Sequence, residues 1–444
     1  MNAAKPKYMN RIIFFILCCF FFLTACKVQK QSQLSVQVNN SFLNKPEFAP
    51  AHIGISIYDP KTNSFLFDHQ SQKYFIPASN TKILTCYAAM KNLGDSIIGF
   101  EYISDSDQIA VRFTGDPTFL HPDFNSQKSF HFLQQNAAKI TFVAPRWNTS
   151  PMGNGWAWND YDFMPERSSM PIYGNMVWFN KKGNGLQIIP KAFKDSLVIF
   201  SSMQNGFFDI TRDKGDNHFQ VVKSNSRFNE TSFPFVVKKE LDILALPLLE
   251  DTLNRVLHYA SELAVEPATW KRFYSQLTDS LLRIMMHRSD NFFAEQILLM
   301  IANQKIGSMD DEKIIDSLLK SDFSGLPNKP RWVDGSGLSR YNLMTPRNFI
   351  WILNQLKKEF SWDRIKAIFP TANEGTLAGL YKGYEGKIFA KTGTLSNHIA
   401  LSGYLITNSG KELIFSVMVN AHQSSSSAIR KNIEQLLTNI IDQY

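Results

Sequence analysis

Two residues one helical turn apart carry the first chemical signal. Ser79-Asn80-Thr81-Lys82 places a serine at an expected helix start and a lysine three positions on. Residues at that spacing share a helix face, so the amine can reach the hydroxyl. A serine is a weak nucleophile until a neighbour takes its proton, and a neutral lysine can be that base. Burial and a nearby cation both push a lysine toward neutrality. A helix N-terminus also turns free N–H groups toward developing negative charge. The pattern alone is weak, because Ser317-Leu318-Leu319-Lys320 repeats it on what reads as a helix face. Two further motifs follow in order. Ser289-Asp290-Asn291 comes 210 positions after Ser79, on a turn between helical runs, and Lys391-Thr392-Gly393-Thr394 comes 102 positions later at a strand end. None of the nine histidines falls in a His-Glu-x-x-His pattern, and there is no Gly-x-Ser-x-Gly elbow and no phosphate loop. A zinc protease, an α/β-hydrolase and a nucleotide enzyme are unsupported, and no metal or organic cofactor is implied.

The elements that position these motifs follow from periodicity. His52–Tyr58 alternates as a strand, Asp59–Asn63 is a turn cluster, and Ser64–Phe67 begins a return strand. Pro77-Ala78-Ser79 opens a helix to about Leu93. Short aromatic and β-branched runs recur between 97 and 245: Gln108–Phe113, Ile140–Ala144, Met176–Phe179, Gln187–Ile189, Ser196–Phe200, His218–Val222 and Phe233–Val237. Helices are expected at Leu249–Leu263, Trp270–Met286, Phe292–Gln304 and from Thr345-Pro346 to Lys358. Three strands at 387–391, 398–407 and 412–420 and a final helix close the chain. This is an α/β (α+β) pattern with one domain split by a β-rich insertion. The catalytic domain is expected at 49–96 and again at 246–444, with the insertion at 97–245 between the two segments.

The chain has 444 residues, 44% of them hydrophobic and 19% charged, which excludes disorder and a coiled coil as the whole architecture. Its first residues read as an export signal. Lys5, Lys7 and Arg11 precede an apolar run from Ile12 to Leu23, too short to span a bilayer but of signal-peptide length. Leu23-Thr24-Ala25-Cys26 resembles a bacterial lipobox, which implies a signal of 1–25, cleavage before Cys26 and acylation of that residue. Residues 26–48, rich in Gln, Asn and Ser, read as lipid anchor and flexible tether. Removing 1–25 lowers the formal charge from +8 to +5, and no Lys/Arg block suited to nucleic acid remains. Cys86 reads as a small core residue.

In that order the three motifs match the signature of penicillin-binding proteins and class A β-lactamases. Over most of its length the chain resembles the class C low-molecular-mass penicillin-binding proteins, the D-alanyl-D-alanine carboxypeptidase/endopeptidase family. The resemblance rests also on Thr114-Gly115-Asp116-Pro117-Thr118, on Gly155-Trp156-Ala157-Trp158-Asn159-Asp160, on the Met285–Glu295 run, on Asp334-Gly335-Ser336-Gly337-Leu338-Ser339-Arg340-Tyr341-Asn342 and on Glu374-Gly375-Thr376-Leu377. It implies a serine β-lactamase/transpeptidase-like domain, an antiparallel sheet flanked by helices. Ser79 would be acylated, with Lys82 as base, Ser289 relaying a proton and Asn291 orienting the substrate amide and the lysine. Lys391 would attract the substrate's terminal carboxylate and depress Lys82. Thr392, Gly393 and Thr394 would bind substrate, with Ser79 and Thr394 N–H groups forming an oxyanion hole. Asp160 would meet the free amine of a diaminopimelate residue. Tyr173-Gly174-Asn175 mimics a variant of the second motif but falls in the insertion. Asn397 stands where relatives usually carry glycine, and asparagine also tolerates positive φ. His398 is read on a strand face. The implied activity is D-Ala-D-Ala carboxypeptidase action on peptidoglycan stem peptides, extending to D,D-endopeptidase action, in a periplasm-facing lipoprotein inhibited by β-lactams. A serine β-lactamase is the first alternative, disfavoured because between the second and third motifs no glutamate is followed four positions on by asparagine, Glu295 and Glu374 included. A penicillin-binding sensor or scaffold is the second.

Overall fold

The computed structural model describes residues 34–136, 138–156, 163–182, 185–201, 209–213, 215–223, 230–237, 245–263 and 269–444. The first half contains β1 (His52–Asp59), β2 (Ser64–His69), α1 (Lys82–Asn92), β3 (Ser96–Ser104), β4 (Gln108–Phe113), α2 (Lys128–Gln135) and β5 (Lys139–Val143). Next come β6 (Met176–Lys182), β7 (Gly185–Ile189), β8 (Leu197–Ser201), β9 (Asp209–Arg212), β10 (Phe219–Lys223), β11 (Glu230–Pro234), α3 (Ala245–Leu253), β12 (His258–Ala260) and β13 (Lys271–Leu277). Then follow α4 (Thr278–Arg288), α5 (Asn291–Ile306), α6 (Asp311–Lys320), α7 (Pro346–Glu359) and α8 (Trp362–Ile368). The chain closes with β14 (Ile388–Leu395), β15 (His398–Ile406), β16 (Glu412–Asn420) and α9 (Ser426–Gln443).

Nearly unbroken apolar runs in β1, β15 and β16 bury both faces of one five-stranded antiparallel sheet, in the order β14-β15-β16-β1-β2. One face packs against α1, α5 and α7 through residues such as Tyr404, Ile414 and Met418. The other packs against α9 through Ile429, Ile433, Leu436 and Leu437. The helices start where a side chain satisfies an orphan N–H. Asp290 caps α5 through the Phe293 N–H, Asp310 caps α6 through Lys313, and Thr345 caps α7 through Asn348 with Pro346 in the first turn.

The second five-stranded sheet, β12-β5-β4-β3-β13, and two three-stranded sheets build the inserted body. Its core joins Phe100, Val111 and Phe179 to Leu248, Leu249 and Leu257. The inserted body therefore extends past the expected boundary at 245. Its return strand is β13, which pairs with β3 from Lys271↔Tyr102 to Leu277↔Ser96. The expected helix at 249–263 stops at Leu253, and the expected helix at 270–286 is a strand followed by α4. The neighbouring β3 edge selects strand at 271–277, where Phe273 stacks on Phe100. The strand β3 and the helix α2 also stand where the sequence pattern marks neither.

The described portion of the expected tether is not a tether. Residues 34–48 fold into short helical turns, and Leu34, Val38, Phe42 and Phe48 are buried in the α9 side of the core. Their spacing places three of them on one face, which the Gln- and Asn-rich composition obscures. The expected signal and Cys26 lie outside the described residues. Replacing a fully buried Phe by Ala typically costs about 3–5 kcal/mol. Phe42→Ala should therefore lower the denaturant midpoint measurably in equilibrium unfolding. A change below about 0.5 kcal/mol would contradict a packed N-terminal segment.

Candidate active site

Ser79, the candidate nucleophile, sits on a strained turn. Ala78–Thr81 forms one turn of 3-10 helix that runs directly into α1, and Ala78 holds φ at 48°. For a residue with a side chain that left-handed conformation is costly, and it persists because the surroundings fix it. Thr81 Oγ1 donates to the Ala78 carbonyl at 2.9 Å, and Asn80 Nδ2 donates to Ser402 Oγ on β15 at 2.8 Å. Two glycines permit the close approaches. A Cβ on Gly337 would stand 1.9 Å from the Ala78 carbonyl oxygen. A Cβ on Gly393 would stand 2.6 Å from the Pro77 oxygen and 3.2 Å from Ser79 N. The third-motif strand thus lies directly against the serine turn.

The three motifs meet here. Lys82 Nζ lies 3.1 Å from Ser79 Oγ, 2.6 Å from Asn291 Oδ1 and 2.7 Å from the Ser336 carbonyl oxygen. Ser289 caps the C-terminus of α4 in the left-handed region, with φ 62°, and Asn291 opens α5 two residues later. Lys391 Nζ donates to Ser289 Oγ and to the Thr392 carbonyl, both at 2.8 Å. Beyond Ala390 the outer edge of β14 has no strand partner among the described residues, because the sheet order ends there. That edge leaves backbone groups available to an extended peptide.

Electrostatics suit base chemistry. Lys82 is fully buried, and burial lowers it to about 8 against the opposing pull of Asp334, Asp290 and Glu295. Lys391 is also fully buried and lies well below the ordinary lysine range, first through burial and then through the charge of Lys82. Carboxylates offset part of the loss of hydration at Lys82, and each lysine's charge opposes the other's.

Several groups that hold this constellation were given no individual role by the sequence. Glu295 Oε1 accepts from the Ser336 N–H at 2.7 Å, and the Ser336 carbonyl in turn receives Lys82. The other Glu295 oxygen faces Arg167 Nη1 at 3.3 Å, and Arg167 also reaches Asp311 at 2.7 Å. Burial and Asp334 push Glu295 up to about 7, while Arg167 pulls it down. Asp334 accepts from the N–H groups of Gly337 and Ser339, from Asn342 Nδ2 and from Trp156 Nε1. The Asp-Gly-Ser-Gly-Leu-Ser string is therefore a carboxylate-centred turn that presents Ser336 to Lys82. The glycines and acidic residue in that string were its signal. Arg167 had none.

Asp160 lies outside the described residues, although Trp156 of the same run anchors on Asp334. Asn291 Nδ2 donates to the Phe163 carbonyl at 2.9 Å, so the chain just after that run touches the second motif. Ser317 and Lys320 lie on α6, away from the constellation. Asn175 is buried in the inserted body, where its amide holds Glu166 and Ser168. Cys86 is buried in the core. Asn397 adopts φ 67°, the conformation the turn requires. His398 lies on β15 and its ring meets Arg340 and the Ser396 carbonyl. A cleft of about 350 Å³ opens beside Ser289 and Asn291, between α5 and Phe163, Met176 and Trp178 of the inserted body.

Comparison with known proteins agrees with this geometry. The D-Ala-D-Ala carboxypeptidase 3 (S13) family matches residues 34–190 and 270–440. The D-alanyl-D-alanine carboxypeptidase DacB of Haemophilus influenzae is 21% identical over 433 residues, covering 87% of this chain and 89% of its own. A D-alanyl-D-alanine carboxypeptidase of an Actinomadura species is 25% identical over 442 residues, covering 86% of this chain and 80% of its own. The crystal structure of penicillin binding protein 4 (dacB) from Haemophilus influenzae shares the fold with a TM-score of 0.70 at 20% identity, over 91% of this chain and 99% of that one. The family match spans the nucleophile turn, the second motif and the third-motif strand, and the chain belongs to the D-Ala-D-Ala carboxypeptidase 3 (S13) family.

Proposed function

We propose that this protein is a serine D,D-carboxypeptidase of the bacterial cell envelope that trims peptidoglycan stem peptides, and that it also opens D,D-crosslinks. The observation that carries the reading is the convergence of all three motifs on Ser79, with Lys82 Nζ 3.1 Å from its hydroxyl. In the first step Lys82, neutral, accepts the Ser79 proton as Oγ attacks the carbonyl of the penultimate D-alanine. The N–H groups of Ser79 and Thr394 receive the developing oxyanion, and losing one such donor typically costs about 10²–10³ in rate. The C–N bond then breaks. The proton returns through Ser289 Oγ, held by Lys391, to the leaving amine. Water attacks the resulting ester, gives its proton to Lys82 and restores Ser79.

A β-lactam carries its own acyl carbon to the same oxygen, so covalent inhibition follows from the same geometry. Efficient lactamase action needs a further base for the deacylating water. Glu295, the acidic group closest in kind, has both oxygens committed to Ser336 and Arg167. Acyl-enzyme persistence with β-lactams is the consequence.

Two experiments test the reading. Purified sacculi digested with wild type should lose terminal D-alanine and D,D-crosslinks by mass spectrometry. Ser79→Ala should reduce both by at least about 10³-fold. Unchanged muropeptides with wild type would overturn the activity. The envelope location rests on the lipobox-like run ending at Cys26; no described helix is long and apolar enough to cross a membrane. With two or more acyl chains the protein should partition to membranes. Cys26→Ser should move it to the soluble fraction, and an unaltered distribution would contradict lipid anchoring.

A further inference from the structure

The inserted body grips α5 at two consecutive residues. Arg167 Nη1 donates to Glu295 Oε2 at 3.3 Å, and the Ser168 N–H donates to Gln296 Oε1 at 3.1 Å. Gln296 Nε2 returns to the Ser168 carbonyl at 2.8 Å and to the Gly115 carbonyl at 2.9 Å. Arg167 is itself buried, a position an arginine tolerates only when its charge is paired and its donors are met. Nη1 also meets Asp311 at 2.7 Å, Nε and Nη2 donate to the Ser150 carbonyl, and Nη2 reaches Thr149 Oγ1 at 3.1 Å. A planar guanidinium held on every side is a rigid point of attachment.

The charged groups that face Glu295 are Asp334, Arg167 and Asp311, so Arg167 is the cation among them. Burial and Asp334 raise Glu295 to about 7, and Arg167 acts against both. A buried carboxylate that loses its cation takes up a proton. Glu295 Oε1 would then be a weaker acceptor for the Ser336 N–H, and the Ser336 carbonyl is the group that receives Lys82 Nζ at 2.7 Å. One ion pair and two hydrogen bonds therefore lead without a gap from Arg167 to the amine. Lys82 faces Asp334, Asp290 and Glu295, and Lys391 lies across the site.

We propose that Arg167 of the inserted body is a positioning residue for Lys82: through Glu295 it fixes the Ser336 carbonyl that holds the amine against Ser79. The rate of Ser79 acylation then depends on a contact made from outside the catalytic domain. The inference rests on the reading of Lys82 as the base of a D,D-carboxypeptidase.

The second-order rate of acylation by benzylpenicillin should be followed against pH for wild type, Arg167→Ala, Arg167→Lys and Glu295→Gln, beside D-alanine release from a pentapeptide. A misplacement of about 1 Å near the reacting atoms costs on the order of 10²-fold, so Arg167→Ala should lose about 10- to 100-fold in the plateau rate. Without the Glu295 charge, which favours protonated Lys82, the acid limb of the profile should also move down by at least about 0.5 pH unit. Arg167→Lys keeps a charge beside Glu295, so its limb should return toward the wild-type position while the plateau recovers in part. Glu295→Gln should move the limb down as Arg167→Ala does. Adding Arg167→Ala to Glu295→Gln should cost less than about fivefold more, because the two residues act in series. That double variant carries no unpaired carboxylate at 295 and decides the question if Arg167→Ala alone does not fold. A lower plateau with an unmoved limb in Arg167→Ala, or a greater further loss in the double variant, would leave Arg167 a purely structural role and overturn the proposal. Normal acylation and D-alanine release in Arg167→Ala would remove this inference alone. Absence of D-alanine release in every form, with acylation still dependent on Arg167, would remove the carboxypeptidase reading alone.

Discussion

Two lysines buried within one constellation are the constraint on which the structure depends. An ammonium group out of water is costly unless it is hydrogen-bonded and electrically compensated. Lys82 meets that demand with Ser79, Asn291 and the Ser336 carbonyl, three acceptors drawn from distant regions of the chain. Lys391 meets it with Ser289 and the Thr392 carbonyl. Apart from the Thr392 carbonyl, next to Lys391 on β14, and Ser79, one turn before Lys82, the acceptors arrive from other parts of the chain, so the site forms only when sheet, helices and turn are assembled together. The same burial that makes the arrangement demanding brings Lys82 toward neutrality, which the proposed role as base requires.

The surrounding architecture follows from holding those acceptors still. Asp334 gathers four donors and shapes the turn that aims the Ser336 carbonyl. Glu295 ties the same turn to α5, which also carries Asn291. Arg167 joins the far side of Glu295 to Asp311 and to the 149–152 segment of the inserted body. The inserted body is therefore attached to the catalytic domain through the network that supports the base, rather than hung from a loose hinge. Gly337 and Gly393 let the backbones close in around Ala78–Ser79, where any larger residue would collide.

The three motifs were legible because each packs its chemistry into three or four adjacent residues, and the order of the motifs excluded the decoy at Ser317. The closing strands and α9 were legible because their apolar periodicity is strong. Other features depend on contacts between distant residues. The 271–277 segment has no decisive period of its own and becomes a strand because β3 offers it an edge. Residues 34–48 look like a polar linker in composition, and only the sheet face they cover reveals Leu34, Val38 and Phe42 as core. Arg167 is a single basic residue in an ordinary context, and no spacing marks the carboxylates and the hydroxyl it meets. Glu295 was visible as an acidic residue near the second motif, but its role in holding Ser336 is a tertiary fact.

The central claim is that Lys82 serves as a neutral base because the fold buries it. The most direct test is an NMR titration of selectively labelled lysine in the purified protein, with the Lys82 signal assigned by its loss in Lys82→Arg. The account predicts a midpoint near 8 for Lys82. A midpoint near the ordinary lysine value of about 10.4 would contradict it and would move the search for the base to another group.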